Sequence, residues 1–501
     1  MGSPLPTQRF RPGEKLLTTA MAVAAATLVW GLVCTAPGIP WNAARLAPSF
    51  ALARGLPLYA LRESGAHLGW VYGPVFPLWY LPMGWTDNPT VGLMLAALWN
   101  AVTVVVPLWL VTRIAAPRMA GMARFGTALG VILILADHVT RNVFLFLHVD
   151  VVSMAWAIVA CVALHAAALR NWRPGMPIAA VAVALSVAAK QVSVVLVPAT
   201  LAWLWWTGYR RLLGRWIFWL AVGCGSLAAV FFVVFGAEEM LFNAWLVFSR
   251  MPWQGGWEIL WRNISQTMEA AWLWVLAAIA ASAALRFRWR EHMEPEARAL
   301  AGLLLWLAVW QLPMGLMAAM IVDASLNSLH AIHYLMIAGL VAVASILSRG
   351  ELAGRRLWPV LTGIAVIGVG TVIVTIPNAD LVWTPYRGQE ELVALARRHQ
   401  GKIYLPWNPL TTVITEKKIY PFDEALHFMW MAGLEPPREA ILAAVPAGAK
   451  ILYQEPSQGH FALRYFGKDA RPPAASAASG QAAGEKQATR TGGRSDEEVR
   501  P

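Results

Sequence analysis

Charged residues are scarce in this chain: Asp, Glu, Lys and Arg make up 14% of its 501 residues, and hydrophobic residues make up 58%. Soluble globular proteins carry about 25% charged residues, so this composition excludes an ordinary soluble domain. The mean hydropathy of +0.53 agrees with that exclusion. The composition therefore predicts a polytopic membrane protein.

Sequence signatures of nucleotide binding and of structural metal sites are missing as well. The sequence has no phosphate-binding glycine loop, no nucleophile elbow and no Cys/His cluster. Its three cysteines, Cys34, Cys161 and Cys224, lie in apolar segments without metal-ligand spacing, which is typical of small core residues. The sequence defines no cofactor, and a divalent metal is an open alternative because of the histidines described below.

The formal net charge of +12 does not indicate a nucleic-acid partner, because most of the basic residues lie in short loops between apolar segments. Such loops set membrane topology by the positive-inside rule. The bias predicts a multi-pass protein of the plasma membrane (the bacterial inner membrane), with a cytoplasmic N-terminus and an extracytoplasmic C-terminus. Leu16–Val33 is interpreted as an uncleaved first span because it is long for a signal peptide.

The apolar segments predict about eleven membrane-spanning helices, several of them short. The predicted spans are Leu16–Thr35, Val91–Thr112, Phe125–Ala136, Val151–Leu169, Met176–Ala189, Val192–Thr207, Trp216–Phe235, Ala270–Leu285, Leu300–Val322, Ala331–Ser348 and Trp358–Ile376.

The predicted fold class is an all-α polytopic membrane protein with a small α/β domain outside the membrane. Residues 1–376 form the membrane domain, and its long outer loops Ala36–Thr90 and Gly236–Glu269 are expected to carry interfacial helices such as Asn42–Ala53. Residues 377–470 form the extracytoplasmic domain. Its expected strands are Lys402–Pro406 and Lys450–Glu455, and its expected helices are Glu390–His399 and Asp423–Gly433. The Ala/Gly/Ser/Arg-rich residues 471–501 are expected to be disordered.

Lys190 is the only charged residue of the apolar run Met176–Thr207. As one helix, this run would be roughly 48 Å long, against a hydrocarbon core of roughly 30 Å. Arginines flank both of its ends, so we expect two short arms with Lys190 and Gln191 near the outer turn. A lipid phosphate is a suitable ligand for that cation, and the alternative is a lysine that snorkels to the surface.

Asp150 opens a predicted span beside His148. Inserting a carboxylate into a membrane costs roughly 2.5–3.5 kcal/mol on insertion scales, so a structural or functional role is expected for it. Asp150 could bind a sugar hydroxyl, bind a metal or act as a general base. It could equally be a helix cap, since Asp is favoured in the first turn.

Further polar residues occur at the outer ends of predicted spans. Asp137 and His138 lie in the same outer loop as Asp150 and are interpreted either as binding residues or as ordinary interface residues. His330 and His333 share one helix face because they are three residues apart. Hydrogen bonding to phosphate or sugar is favoured for these histidines, with metal binding and structural packing as alternatives.

The stretch Trp70–Pro82 cannot form an ordinary helix, because its three prolines and one glycine interrupt it. Its aromatic side chains, including Tyr72, could stack on a sugar or a polyprenyl chain. A rigid interfacial turn explains the same pattern equally well.

Taken in order, these motifs resemble the GT-C superfamily of membrane glycosyltransferases. The resemblance rests on short motifs across residues 10–460. They are Arg45-Leu46-Ala47, Gly55-Leu56-Pro57-Leu58-Tyr59, Tyr72-Gly73-Pro74-Val75, His148-Val149-Asp150 and Ala189-Lys190-Gln191. An outer domain after the last span also fits. One departure concerns the first outer loop, where the superfamily usually has a catalytic Asp and this chain has Asn42.

The resemblance implies a sugar transfer from a polyprenyl-phosphate-sugar donor in the membrane to a lipid, glycan or protein acceptor. Lys190, helped by Arg54 or His333, would stabilise the departing phosphate. Because the amide of Asn42 cannot act as a base, that role would pass to Glu63 or Asp150. Two rival functions stay open: a lipid or sugar transporter or flippase, and a non-catalytic assembly or glycan-binding protein.

Overall fold

The computed structural model describes residues 12–116, 120–137, 139–265, 295–322, 326–347, 362–363, 366–370, 387–452 and 464–465. Within these ranges, six helices are long and apolar enough to cross a membrane. They are the segments Lys15–Gly38, Pro89–Ala115, Val149–Arg170, Arg210–Phe235, Glu296–Ala318 and Asn327–Ser345. Three shorter apolar helices accompany them: Gly121–Ala136, Gly175–Ala189 and Gln191–Trp206.

The helices before residue 260 are α1 (Pro12–Thr35), α2 (Pro40–Ala53), α3 (Val75–Trp79), α4 (Pro89–Ala115), α5 (Ala120–Ala136), α6 (Asn142–Leu145), α7 (Val149–Arg170), α8 (Gly175–Ala189), α9 (Leu196–Trp206), α10 (Leu213–Phe235) and α11 (Ala237–Leu241). Two long helices follow, α12 (Pro295–Ala318) and α13 (His330–Leu347). Short 3₁₀ turns cover Ala36–Gly38, Arg62–Ser64, Leu81–Trp85, Gln191–Val195, Arg210–Leu212 and Leu326–Leu329, and a π-helix covers Phe242–Val247.

Nine of the eleven predicted spans coincide with helices, which confirms a mostly helical, multi-pass architecture. Ala270–Leu285 lies outside the described residues, and so does most of Trp358–Ile376. The number of eleven spans therefore stays a prediction.

The core of the membrane part is rich in alanine, which allows neighbouring helices to approach closely. At Gly175, for example, an added Cβ would lie 2.6 Å from the carbonyl oxygen of Ala163. This contact joins the beginning of α8 to α7. The close packing matters for function because α7 carries Asp150 and α8 ends next to Lys190.

Residues 387–452 form a unit that combines four helices with two short strands, and the predicted α/β domain stays a prediction. Its helices are α14 (Gly388–Arg398), α15 (Pro409–Glu416), α16 (Asp423–Met431) and α17 (Arg438–Ala443). The predicted strands shorten to β1 (Ile403–Tyr404) and β2 (Lys450–Ile451), which pair in parallel. The sequence reasoning missed α15 and α17. The domain boundaries stay a prediction, and the tail 471–501 lies outside the described residues.

This C-terminal unit packs on α2. Its residues Leu410 and Val413 belong to the same apolar cluster as Leu46 and Phe50 of α2. The backbone N–H of Phe422 also donates a hydrogen bond to the carbonyl oxygen of His67 in the first loop, at 3.1 Å. Residues 42–51 of α2 are all buried, by this unit together with α3, α4 and the turn Leu81–Trp85, whereas the sequence predicted an amphipathic helix in the membrane interface.

Candidate functional site

Asp150 lies in the first turn of α7, where a negative side chain is favoured by the partial positive charge of the helix N-terminus. The helix begins after His148, whose backbone is extended (φ −125°, ψ 140°). Asp150 is only 2% exposed, so its carboxylate requires partners inside the protein.

Lys190 supplies the opposite charge. It ends α8 because its backbone is extended (φ −145°, ψ 121°), and the chain continues as the 3₁₀ turn Gln191–Val195. Its Nζ forms an ion pair with Oδ1 of Asp150 and lies 3.4 Å from the backbone oxygen of Asn327. The Lys190 side chain is 8% exposed. At the predicted helix break, α8 therefore ends and the buried ammonium group of Lys190 contacts Asp150.

Two histidines complete what we call the Asp150 cluster: Asp150, Lys190, His148 and His330. Nδ1 of His148 contacts Oδ2 of Asp150, and Nδ1 of His330 lies 3.5 Å from the same oxygen. The imidazole rings are 5.4 Å apart and nearly perpendicular. Asn327 lies 2.9 Å from Nε2 of His148 through its side-chain amide. The start of α7, the end of α8 and the start of α13 thus converge at one buried polar site.

The donor atoms of this cluster fit a divalent metal. His148, Asp150 and His330 each offer one ligand atom, and these atoms lie within 4.8 Å of one another. Two imidazole nitrogens and a carboxylate oxygen form a donor set typical of zinc sites. The ammonium group of Lys190 already contacts the carboxylate, so a metal ion would share Asp150 with it.

A second buried pair lies at the same end of α13. Nδ1 of His333 is 2.9 Å from Oδ2 of Asp137, and Thr140 donates to that oxygen through its hydroxyl group at 2.5 Å and its backbone N–H at 3.0 Å. The structure therefore separates the two predicted histidines. His330 faces Asp150. His333 faces Asp137 and so links the loop that contains Asp137 to α13.

Asn42 and Gln191 hold backbone segments around the site. The Asn42 amide donates to the carbonyl oxygens of Ala36 and Leu145, both at 3.0 Å, and its oxygen accepts from the N–H of Leu147 at 2.8 Å. Gln191 donates to the carbonyl oxygens of Val71 and Ala244. Asn42 thereby holds the segment that leads into His148, and Gln191, next to Lys190, holds the backbone at Val71 and Ala244.

Tyr72 belongs to a turn that packs directly on the break between α8 and the 3₁₀ turn. An added Cβ on Gly73 would lie 1.9 Å from the carbonyl oxygen of Ala188, so the two backbones touch. The carbonyl oxygen of Tyr72 accepts a hydrogen bond from the Tyr59 hydroxyl at 2.7 Å. Burial raises the pKa of Tyr59, which keeps that hydroxyl protonated. A rigid turn is the arrangement found.

Two candidates lie apart from the Asp150 cluster. The Arg54 guanidinium binds the backbone oxygens of Gly84 and Thr86 and the carboxylate of Asp87 at 2.7 Å. Glu63 is exposed on the turn Arg62–Ser64, which contacts the C-terminal unit. Neither side chain has a described contact with Asp150 or Lys190.

Three serines that the sequence reasoning missed join α7 to the break. The Ser153 hydroxyl lies 3.0 Å from that of Ser186 and 2.6 Å from that of Ser193, and all three residues are buried. The sequence spacing could have indicated these serines, because Ser153 follows Asp150 by three residues and Ser186 and Ser193 flank Lys190. These spacings place each serine about one helical turn from a charged residue.

His67 was also missed. It is 1% exposed between the first loop and the C-terminal unit, and its pKa is lowered from 6.5 to about 4, chiefly by burial. Nearby Glu63 acts in the opposite direction. No sequence signal distinguished His67, because its burial depends on residues more than three hundred positions away.

No family model matches this chain, and a search of curated proteins found no match either. Among solved structures, it is similar to ArnT from Cupriavidus metallidurans bound to undecaprenyl phosphate, with 16% identity, a TM-score of 0.47 and coverage of 85% of this chain and 77% of that chain. The apo state of the same protein has a TM-score of 0.45, with 14% identity and the same coverage. The Archaeoglobus fulgidus oligosaccharyltransferase in complex with zinc and sulfate has a TM-score of 0.37, with 13% identity and coverage of 77% of this chain and 55% of that chain.

Both neighbours are GT-C glycosyltransferases, the superfamily that the sequence motifs resemble.

Proposed function

We propose that this protein is an integral membrane glycosyltransferase of the GT-C type that moves a sugar from a polyprenyl-phosphate donor to an acceptor hydroxyl on the extracytoplasmic side. The observation that carries the proposal is the buried ion pair between Asp150 and Lys190 at the helix break. It combines a potential proton acceptor and a potential phosphate ligand in one site, and sugar transfer from a lipid phosphate requires both.

Lys190 is the proposed phosphate ligand. Its ammonium group is buried, so its interaction with an anion is weakly screened by solvent. As the bond between the sugar C1 and the phosphate oxygen breaks, negative charge develops on the leaving polyprenyl phosphate. A cation placed there stabilises the transition state more than the ground state, which is the condition for catalysis.

Asp150 is the proposed general base. The acceptor oxygen forms a bond to C1, its proton passes to the Asp150 carboxylate, and polyprenyl phosphate leaves with the electrons of the broken bond. Binding of the donor phosphate to Lys190 would draw the ammonium away from Asp150 and leave the carboxylate available for that proton. His148 and His330 contact the same carboxylate and would orient it.

If a divalent metal takes part, His148, Asp150 and His330 would hold it, and it would add Lewis-acid stabilisation of the phosphate. Asn42, Gln191 and the Gly73 turn act in this proposal as supports of the site. The roles first considered for Arg54, Glu63 and His333 are not needed for it.

The decisive experiment is mass spectrometry of lipid-linked sugars and surface glycans from cells with and without the protein. We expect one glycosylated product to disappear in its absence while the corresponding polyprenyl-phosphate-sugar accumulates. Asp150→Asn and Lys190→Met should reproduce that profile. Glu439→Gln and Lys418→Met change matched charges at exposed positions of the C-terminal unit and should retain the product. Unchanged glycans in the deletion strain would refute the proposal.

The rival function is transport of a lipid or sugar, because α8 and α9 are separated by the extended residue Lys190 and a 3₁₀ turn, and discontinuous helices occur at transport sites. Purified protein in detergent separates the two functions. A transferase forms product from donor and acceptor without a sealed membrane, whereas a transporter needs two compartments.

A further inference from the structure

Arg45 is a buried cation on α2 and takes no part in the ion pair between Asp150 and Lys190. The residue is 7% exposed, and its guanidinium carbon lies 4.6 Å from the ring centre of Trp41 and 5.7 Å from that of Tyr72. Aromatic faces stabilise a guanidinium group but do not satisfy its N–H donors. Those donors require acceptors in the plane of the group.

The acceptors around Arg45 are incomplete. Its described ionic contact is with Glu424 of α16, at an Nη2–Oε1 distance of 3.4 Å, which is long for a charge-assisted hydrogen bond. The Nε atom is buried and has no hydrogen-bond partner among the described residues. A buried charge in this state is costly unless a further anion completes its coordination.

Tyr72 connects Arg45 to the Asp150 cluster. Its ring lies beside Arg45, and the next residue, Gly73, touches the backbone of Ala188, two residues before Lys190. Gln191 also binds the carbonyl oxygen of Val71. Arg45 and Lys190 are therefore two buried cations on either side of one rigid turn.

We infer that Arg45 is a second anion-binding site, which takes a phosphate or carboxylate group of the acceptor in place of Glu424. The assignment of that anion to the acceptor rests on the proposed transferase function, since the donor phosphate is already placed at Lys190. The planar guanidinium binds such oxyanions through paired N–H donors. Glu424 lies on the C-terminal unit, so binding of the acceptor would exchange an internal carboxylate for an external one.

The test measures anion binding without turnover. Full-length protein in nanodiscs of neutral lipid is titrated with glycerol 3-phosphate at constant ionic strength, and thermal unfolding is followed by tryptophan fluorescence. A parallel series replaces the soluble phosphate by phosphatidic acid in the nanodisc. The Asp150→Asn/Lys190→Met double variant serves as the background, because it removes the other phosphate ligand together with its counter-ion.

We expect Glu424→Gln to bind the phosphate about tenfold more tightly, because the competing carboxylate is gone. Arg45→Gln should lose this binding, Arg45→Lys should retain part of it, and Glu439→Gln should behave as the parent. A response to both probes would show that Arg45 binds a phosphate group without an attached lipid. A response to phosphatidic acid alone would show that it binds a lipid headgroup.

Equal titrations for Glu424→Gln, Arg45→Gln and the parent would overturn the inference. So would a lower melting temperature of Glu424→Gln without any response to phosphate, because the pair would then only fasten the C-terminal unit. Since no transfer reaction is measured, this result is distinguishable from the glycan analysis. Failure of the transferase would remove the assignment to an acceptor but leave anion binding at Arg45, and failure of anion binding would leave the transferase proposal intact.

Discussion

The side-chain oxygen of Asn42 accepts a hydrogen bond from the backbone N–H of Leu147 at 2.8 Å, across 105 positions of the sequence. Its amide nitrogen donates to Leu145 and Ala36, so the donors and the acceptor of this buried side chain are all engaged. The bonds hold the segment that leads into His148 and Asp150. These contacts suit an amide, which both donates and accepts.

Asn42→Asp should therefore weaken the protein instead of creating a better base. A carboxylate can accept from Leu147 but would place an oxygen against two carbonyl oxygens in a buried site. We expect a loss of about 1–3 kcal/mol of unfolding free energy and a reduced transfer rate. Denaturant unfolding of the purified protein measures the first effect. Asn171→Gly is the control, because Asn171 is exposed in the left-handed region (φ 52°) that glycine adopts easily. Higher activity in Asn42→Asp would mean that the catalytic base acts from this helix.

The ion pair between Asp150 and Lys190 predicts non-additive effects. Lys190→Met leaves a buried carboxylate without its main counter-ion, and we expect a loss of about 3–5 kcal/mol. The double variant Asp150→Asn/Lys190→Met removes both charges and should recover most of that stability while remaining inactive. A double-mutant cycle of unfolding free energies measures the coupling. Additive losses would show that the two side chains do not interact.

Gly73→Ala should disturb the helix break. A methyl group there would lie 1.9 Å from the carbonyl oxygen of Ala188, two residues before Lys190, so one of the two backbones must shift. We expect a lower melting temperature and loss of most of the activity. Gly225→Ala is the matched control, since it lies in α10 with no atom within 4 Å of the added Cβ. That variant should be neutral or slightly more stable. Wild-type behaviour of Gly73→Ala would exclude a tight contact between the turn and the break.

His67 predicts acid sensitivity at the junction with the C-terminal unit. Its pKa falls from 6.5 to about 4 on folding, so the folded protein favours the neutral ring. The stability it contributes is complete above about pH 6.5 and is lost as the pH falls toward about 4, by up to ~1.4 kcal/mol per pH unit. Unfolding free energies measured over this pH range should show the slope.

His67→Gln cannot titrate and should reduce that slope. His399→Gln, at an exposed position, should leave it unchanged. If His67→Gln keeps the full acid sensitivity, the titrating group lies elsewhere.

The helix break at Lys190 could be predicted from sequence because two local quantities decide it. The apolar run is too long for one crossing, and a lysine inside it is costly unless it lies at an end. Asp150 was found in the same way, as an acid at the beginning of a helical segment. These signals depend on neighbouring residues alone.

The supporting contacts depend on distant parts of the chain and could not be predicted in this way. Two partners of Asn42, Leu145 and Leu147, lie more than a hundred positions away, and part of the surface of α2 is covered by α15. The two-residue strands of the C-terminal unit likewise form only where residues 403–404 meet 450–451. Periodicity in one segment carries no information about such encounters.

The order of Asp150 and Lys190 along the chain has a consequence for biosynthesis. The two residues are 40 positions apart, with the acid made first. At roughly 5–20 residues per second, the ribosome needs about 2–8 s to reach the lysine. Asp150 is therefore synthesised before its counter-ion. The ion pair can form only after α8 has been completed and Lys190, at its end, lies beside α7.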